Sequence, residues 1–143
     1  GMQNRLIMSP GVWRKFDKER MRNLILQLKE INSDLKMFMH TDGDVREIID
    51  DLIEIGIDIL NPIQPECMDP VKIKRKYGDK LVLHGAVSLQ KTLPFGSPED
   101  VREEVKYLIK NCNINGGFVV GPSNVLFKEI PPENIVAMYE AVY

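Results

Sequence analysis

The apolar residues of this chain follow two alternating patterns, one typical of helices and one typical of buried strands. A helical pattern covers residues 9–32, where Ser9 and Pro10 suit the N-cap and the first helical position. After it, short apolar runs alternate with stretches in which apolar residues return every three or four positions. The short runs predict strands at residues 35–41, 57–61, 81–87 and 118–120, and the stretches after them predict helices.

This order of elements predicts a parallel sheet, because strands that alternate with helices are joined by right-handed crossovers. A (β/α)8 barrel of about 250 residues spends about 31 residues on each unit, so the 143 residues hold between four and five units. We therefore predict an α/β fold in a single domain of residues 1–143. It is half of a (β/α)8 TIM barrel, with four parallel strands each followed by a helix and preceded by one long helix.

The turn after the first predicted strand carries several ionisable side chains. Strand alternation places Phe38 and His40 on one side of the sheet, and Asp42 as well if the extended geometry continues that far. These side chains would face the carboxyl end of the sheet, where barrels and open α/β sheets bind ligands. Asp44 is predicted to cap the next helix, with Glu47 completing a capping box. Turn and cap chemistry alone would also account for the two aspartates.

The composition narrows the classes of function. The chain has 19 basic and 21 acidic residues and no basic run, which argues against binding to nucleic acid or to an anionic membrane. No apolar run approaches the roughly 20 residues of a membrane span, and the start lacks a signal-peptide pattern, so we expect a cytoplasmic protein. Cys67 and Cys112 are too few for a disulfide framework and are expected to be reduced thiols.

Short motifs near the predicted strand ends and helix starts give the chain a family resemblance. They are His40-Thr41-Asp42-Gly43-Asp44, then Asp58-Ile59-Leu60-Asn61-Pro62 with Gln64-Pro65, then Leu93-Pro94-Phe95-Gly96-Ser97-Pro98-Glu99-Asp100-Val101, and then Pro131-Pro132-Glu133-Asn134-Ile135. In this order they resemble the C-terminal half of the uroporphyrinogen decarboxylase family. The resemblance covers residues 9–143 and implies the last four strands of a (β/α)8 barrel.

The family also includes zinc-dependent methyltransferases that move methyl groups between corrinoid proteins and thiols. In that branch a His-x-Cys pair at a strand end and a later cysteine bind zinc. By resemblance His40 matches the histidine, Asp42 stands where the first cysteine would be, and Asn124 lies near the later ligand. An Asn amide is a poor zinc ligand. Cys67 follows the second strand and could complete a metal site with His40 and Asp42, or it could be a small buried filler.

Three further residues are candidates for substrate binding. They are His84 in the third predicted strand, and Ser123 and Asn124 in the loop after the fourth. His84 would also fit as a strand histidine with a backbone partner. By the same resemblance, the arginines that hold substrate carboxylates in the decarboxylases, and the aspartate that binds the pyrroles, belong to the N-terminal half. The segments that carry those arginines and that aspartate have no counterpart in residues 1–143.

Three functions follow as hypotheses. The first is metal-assisted methyl transfer in the methyltransferase branch, with a thiol and a corrinoid-bound methyl group as substrates and a corrinoid protein as partner. The alternatives are porphyrinogen decarboxylation in tetrapyrrole biosynthesis, and a non-catalytic half-barrel that binds a partner or a small ligand. Parallel strands that are apolar on both faces need cover, so we also expect a homodimer closing an eight-stranded ring, or a separate N-terminal half.

Overall fold

The computed structural model describes residues 1–143, and its strands form one parallel sheet. The strands are β1 (Phe38–His40), β2 (Ile59–Asn61), β3 (Val82–Val87) and β4 (Phe118–Pro122). The helices are α1 (Pro10–Trp13), α2 (Glu19–Ile31), α3 (Ile49–Glu54), α4 (Pro70–Tyr77), α5 (Thr92–Phe95), α6 (Pro98–Cys112) and α7 (Pro132–Glu140). The spatial order β1-β2-β3-β4 repeats the order along the chain, and a helix follows every strand. The predicted α/β half-barrel is therefore confirmed.

The register of the sheet decides which side chains meet at its carboxyl edge. His40 of β1 lies beside Asn61 of β2, and Leu60 lies beside Leu83 of β3, so Asn61 is level with His84. Since side chains at the same level point to the same face of a sheet, His40, Asn61 and His84 share one face.

The opening helix is interrupted by one wide turn. Ser9 caps α1 as predicted, but residues Arg14–Lys18 form a π-helical segment before α2 begins. Arg14 and Lys18 both bind the carboxylate of Asp51 in α3, with a shortest N···O distance of 2.8 Å in each pair. The apolar pattern that predicted a single helix at residues 9–32 contains no sign of this segment, because the carboxylate that both cations bind belongs to another element.

The first strand starts later than predicted, because a side chain takes the place of a backbone partner. The Asp58 carboxylate accepts the Met37 N–H at 2.7 Å and is held in place by Lys29 Nζ at 3.2 Å. The regular ladder between β1 and β2 therefore begins at Phe38.

The predicted capping box at Asp44 is wrong. Its Oδ1 accepts the backbone N–H of Arg46 at 3.1 Å, and both carboxylate oxygens bind the Arg46 guanidinium. These bonds, led by the one from the Arg46 side chain, lower the pKa of Asp44. The chain then enters a 3-10 turn at Arg46–Ile48 with Val45 at the cap position and no side-chain cap. The Asp44 carboxylate that the capping box required is bound instead by the Arg46 guanidinium, two residues away.

The two faces of the sheet differ in their cover. Apolar side chains of the helices and of one sheet face form the buried core, which includes Ile49, Leu52, Leu60, Leu83, Val101, Val105, Leu108 and Met138. On the other face Phe38 is 48 % exposed and Val119 is 46 % exposed. This exposed face is the one that a complete barrel would turn inward. None of the helices is both long and apolar enough to cross a lipid bilayer.

Candidate functional site

Three polar side chains meet on the exposed sheet face, at the ends of β1 and β2 and in the middle of β3. The amide of Asn61 lies in the middle. Its Oδ1 is 2.6 Å from Nδ1 of His40, and its Nδ2 is 2.7 Å from Nδ1 of His84. Asn61 is only 8 % exposed, so water competes little for these two bonds. We call His40, Asn61 and His84 the histidine row.

The residue after His84 is a glycine in the left-handed region, next to the Asn61 amide. Gly85 has φ +97°, a conformation that residues with a Cβ rarely adopt. A Cβ at Gly85 would lie 3.5 Å from Asn61 Nδ2 and 3.2 Å from the carbonyl oxygen of Pro122. Ala86 follows with φ +84° although it is not a glycine, and it is completely buried. Two consecutive residues with positive φ thus follow His84 in β3, and at Ala86 that conformation is unfavourable, as at many functional sites.

Asp42 connects the histidine row to the loop after β4. Its Oδ2 lies 3.5 Å from Nε2 of His40, and its Oδ1 accepts a hydrogen bond of 2.8 Å from Nδ2 of Asn124. His40 and Asp42 therefore lie on the same side, as strand alternation predicted. The Asn124 side chain also accepts the Val125 N–H through Oδ1 at 2.7 Å, which fixes its NH2 group toward Asp42. Asn124 acts here as a donor to the carboxylate.

A cavity of about 270 Å³ opens beside Asp42. Its walls are formed by Asp42, Gln64, Leu89, Gln90, Ser123, Asn124, Val125 and Phe127. The wall thus contains one carboxylate and no lysine or arginine. Ser123 is only 2 % exposed, and its Oγ accepts the Leu89 N–H at 3.4 Å. The contacts of Ser123 therefore join two loops of the wall, whereas Asn124 has an exposed hydrogen bond to Asp42.

His84 is part of the row but has a different environment from His40. Burial lowers its pKa, so the neutral imidazole is favoured. Its ring packs edge-on against Phe38, with 5.4 Å between ring centroids and 78° between ring planes. The expectation of a backbone partner for His84 is wrong, because its partner is the side chain of Asn61.

The predicted metal ligands His40, Asp42 and Cys67 do not form a metal-binding cluster. No group of three or more histidine, cysteine, aspartate or glutamate side chains is close enough to hold a metal ion. Cys67 belongs to a turn in which its N–H donates to the Gln64 carbonyl at 2.9 Å, and its side chain packs against the buried core. Burial and the neighbouring carboxylates, Glu66 first, raise the pKa of the Cys67 thiol. Zinc at His40 and Asp42 therefore stays a prediction that lacks its third ligand, and the residues present do not fit it.

A second polar cluster lies next to the site and was missed by sequence reasoning. The Ser88 hydroxyl donates to Glu66 Oε1, and the Ser88 N–H donates to Glu104 Oε1 at 3.1 Å. The second oxygen of each glutamate is buried without a hydrogen-bond partner. Burial, with a contribution from Glu66, raises the pKa of Glu104. A signal was present, since Glu104 lies three residues after Val101 and four before Leu108, on the apolar side of α6.

Comparison with known proteins gives one consistent result. The family model described as uroporphyrinogen decarboxylase (URO-D) matches residues 3–143. Similar proteins, each called uroporphyrinogen decarboxylase, occur in Legionella pneumophila (strain Corby), with 23 % identity over 137 residues, and in Psychromonas ingrahamii, with 24 % identity over 143 residues. A third, from Hydrogenovibrio crunogenus, is 25 % identical over 138 residues. These alignments cover 95 or 96 % of this chain, which spans only 38 % of the length of each relative.

Proposed function

Because the chain belongs to the uroporphyrinogen decarboxylase family, we propose that it provides the histidine row and Asp42 to a barrel enzyme that decarboxylates a porphyrinogen. Decarboxylation is the reaction for which the similar proteins are named. The residues of this chain supply the part of the reaction that handles protons.

Decarboxylation needs a proton donor at the carbon that loses its carboxylate. When the bond between that carbon and the carboxylate breaks, carbon dioxide leaves and the electron pair stays on the carbon. A proton must then be added, and an imidazolium held in place is a suitable donor. His40 is oriented by Asn61 through Nδ1 and has Asp42 3.5 Å from Nε2, so a positive charge on its ring would have a carboxylate beside it. In this scheme Nε2 of His40 gives up the proton and is later reprotonated from solvent.

The single observation that carries the proposal is the position of His40 between Asn61 and Asp42 at the carboxyl edge of the sheet. Barrel enzymes have their reacting groups at that edge. The cavity wall contains no lysine or arginine to bind the carboxylates of a porphyrinogen. We therefore assign that task to the part of the barrel that corresponds to the remaining length of the relatives.

The test is an anaerobic assay of the protein expressed from its complete gene, with uroporphyrinogen as substrate. The products are oxidised and separated by the number of carboxylates they retain. We expect products with progressively fewer carboxylates, and a loss of at least about a hundredfold in rate for His40→Gln, since general acid catalysis contributes about 10²–10⁴-fold. Lys72→Met, an exposed change in α4, is the matched control and should keep the wild-type rate. Unchanged substrate with folded protein would contradict the proposal.

Methyl transfer is a second candidate, favoured by the same cavity. A wall with a carboxylate and no cation suits a neutral or cationic group better than a substrate with many carboxylates. The assay uses methylcobalamin and a thiol, and follows the change in the corrinoid absorption spectrum as the methyl group leaves. Demethylation of the corrinoid that depends on both the protein and the thiol would favour this candidate, particularly if uroporphyrinogen is not consumed.

The cover of the exposed sheet face is a separate proposal. Phe38 and Val119 remain about half exposed, so this face still needs a partner surface. A homodimer and a separate N-terminal half stay predictions for that partner. Light scattering of the protein made from the complete gene distinguishes them from a single chain that closes its own barrel.

A further inference from the structure

We propose that Asn61 is a positioning residue that fixes opposite tautomers on His40 and His84. His40 then carries its proton on Nδ1 and exchanges protons with a ligand only through Nε2. His84 has its lone pair on Nδ1 and presents Nε2–H as a neutral hydrogen-bond donor. The site would therefore contain one proton-exchanging nitrogen and one fixed donor.

A side-chain amide accepts hydrogen bonds at its oxygen and donates them at its nitrogen. Asn61 Oδ1 is only an acceptor, so the nitrogen 2.6 Å away, Nδ1 of His40, must carry a hydrogen. Asn61 Nδ2 is only a donor, so the nitrogen 2.7 Å away, Nδ1 of His84, must offer a lone pair. One buried side chain therefore determines the tautomer of both histidines.

The opposite orientation of the amide would reverse both tautomers, and the surroundings argue against it. An NH2 group facing His40 would force a lone pair onto its Nδ1 and exclude the charged ring, although Asp42 lies 3.5 Å from the other nitrogen. A carbonyl facing His84 would accept from a charged ring as readily as from a neutral one. His84 is the more enclosed histidine and packs against Phe38, where a charge would be poorly solvated.

Both Nε2 atoms remain available to a ligand. His84 has no hydrogen bond other than the one through Nδ1, and His40 Nε2 has only the long contact with Asp42. A group that fits both would present an acceptor oxygen to His84 while it exchanges a proton with His40. A ligand with this chemistry has a carboxylate and, near it, a carbon atom that can gain or lose a proton. This assignment of the ligand rests on the proposed function, whereas the tautomers do not.

The test is nitrogen NMR of the imidazole rings in protein made from the complete gene with ¹⁵N-labelled histidine. Long-range correlations identify the protonated nitrogen of each neutral ring, and His40→Gln and His84→Gln assign the signals. We expect a proton on Nδ1 of His40 and on Nε2 of His84. The reverse arrangement, or a mixture at either ring, would overturn the inference.

Two substitutions at Asn61 make the test specific. Asn61→Asp has acceptors only, so His40 should keep its tautomer while His84 moves its proton to Nδ1 and loses the free donor. Asn61→Leu removes both hydrogen bonds, so both rings should become mixtures of tautomers. This variant replaces Asn61→Asp in the test if the aspartate variant does not fold. Asn111→Ala is the control and should change neither ring, because the Asn111 side chain makes only an exposed hydrogen bond to the Tyr107 carbonyl on α6. An unchanged His84 in both Asn61 variants would refute the proposal.

Kinetics separates this inference from the proposed function. Loss of one hydrogen bond to a charged substrate group should lower kcat/KM of Asn61→Asp by about ten- to a hundredfold. The assigned tautomers in a protein that does not decarboxylate would leave the inference standing and remove the function. Full decarboxylation by a protein with the reversed tautomers would support the proposed function and overturn the inference about Asn61.

Discussion

The replacement of Lys74 by methionine tests how a buried cation holds the end of the sheet opposite the site. Lys74 in α4 is only 6 % exposed. Its Nζ donates to the carbonyl of Gly116 at 2.6 Å and to those of Gly78 and Gly117 at 3.4 Å each. One ammonium thus joins the end of α4 to the turn that leads into β4.

The cost follows from these distances. A hydrogen bond to a charged group contributes about 1.5–3 kcal/mol, and only the 2.6 Å bond is short enough to approach that value. Methionine retains most of the packing of the aliphatic stem and removes a charge that is costly to bury, which offsets part of the loss. We expect a net destabilisation of about 2 kcal/mol for Lys74→Met.

Urea unfolding measures this difference. With a slope of about 1.5 kcal/mol/M, the midpoint should fall by about 1.3 M while the slope stays the same. Lys72→Met in the same helix is the control, because the Lys72 side chain is 82 % exposed, and its effect should be within about 0.5 kcal/mol. Equal urea midpoints for the two variants would show that the hydrogen bonds from Lys74 to the three carbonyls do not stabilise the fold.

Two further predictions concern pH. The Arg14 guanidinium, with Lys18, lowers the pKa of Asp51, so its stabilising effect is present above the unfolded pKa and is lost as pH falls through the folded one. Asp51→Asn should therefore have a lower melting temperature than wild type at pH 7, and the difference in melting temperature should disappear in acid. A difference that does not depend on pH would contradict this. Burial raises the pKa of Glu104, so stability should fall as pH rises from the unfolded pKa through the folded one. Thermal melts of Glu104→Gln should lack that fall, and an identical pH profile would refute the assignment.

Much of the fold could be predicted because its signals are local. Ser97 and Pro98 begin α6 with a complete capping box, in which Asp100 returns the bond. Asp69 caps α4 with its side chain alone, which accepts the N–H groups of Val71 and Lys72. Each of these signals depends on residues within one turn. Apolar periodicity then determines how many strands and helices the chain can form.

The features that could not be predicted depend on contacts between distant elements. The π-helical segment exists beside a carboxylate of α3, more than thirty residues along the chain. The partnership of Asn61 with two histidines requires the register of three strands, which no local pattern contains. The pairing of His40 with Asp42 was predictable because the two residues are neighbours on one strand end. The position of Cys67 was not predictable, because it depends on how the loop after β2 packs against other elements.

The strand order has a consequence for the time course of synthesis. Every strand pairs with its neighbour along the chain, so the sheet can grow one strand at a time as residues leave the ribosome. The histidine row is complete once β3 has joined, but the bond between Asn124 and Asp42 spans 82 residues and must wait for the segment after β4. A ribosome stalled before that segment should therefore display a sheet with both histidines in place and Asp42 still without its amide. The Asp42 carboxylate is then the last member of the site to be fixed, so a nascent chain positions both histidines before it positions the group beside His40.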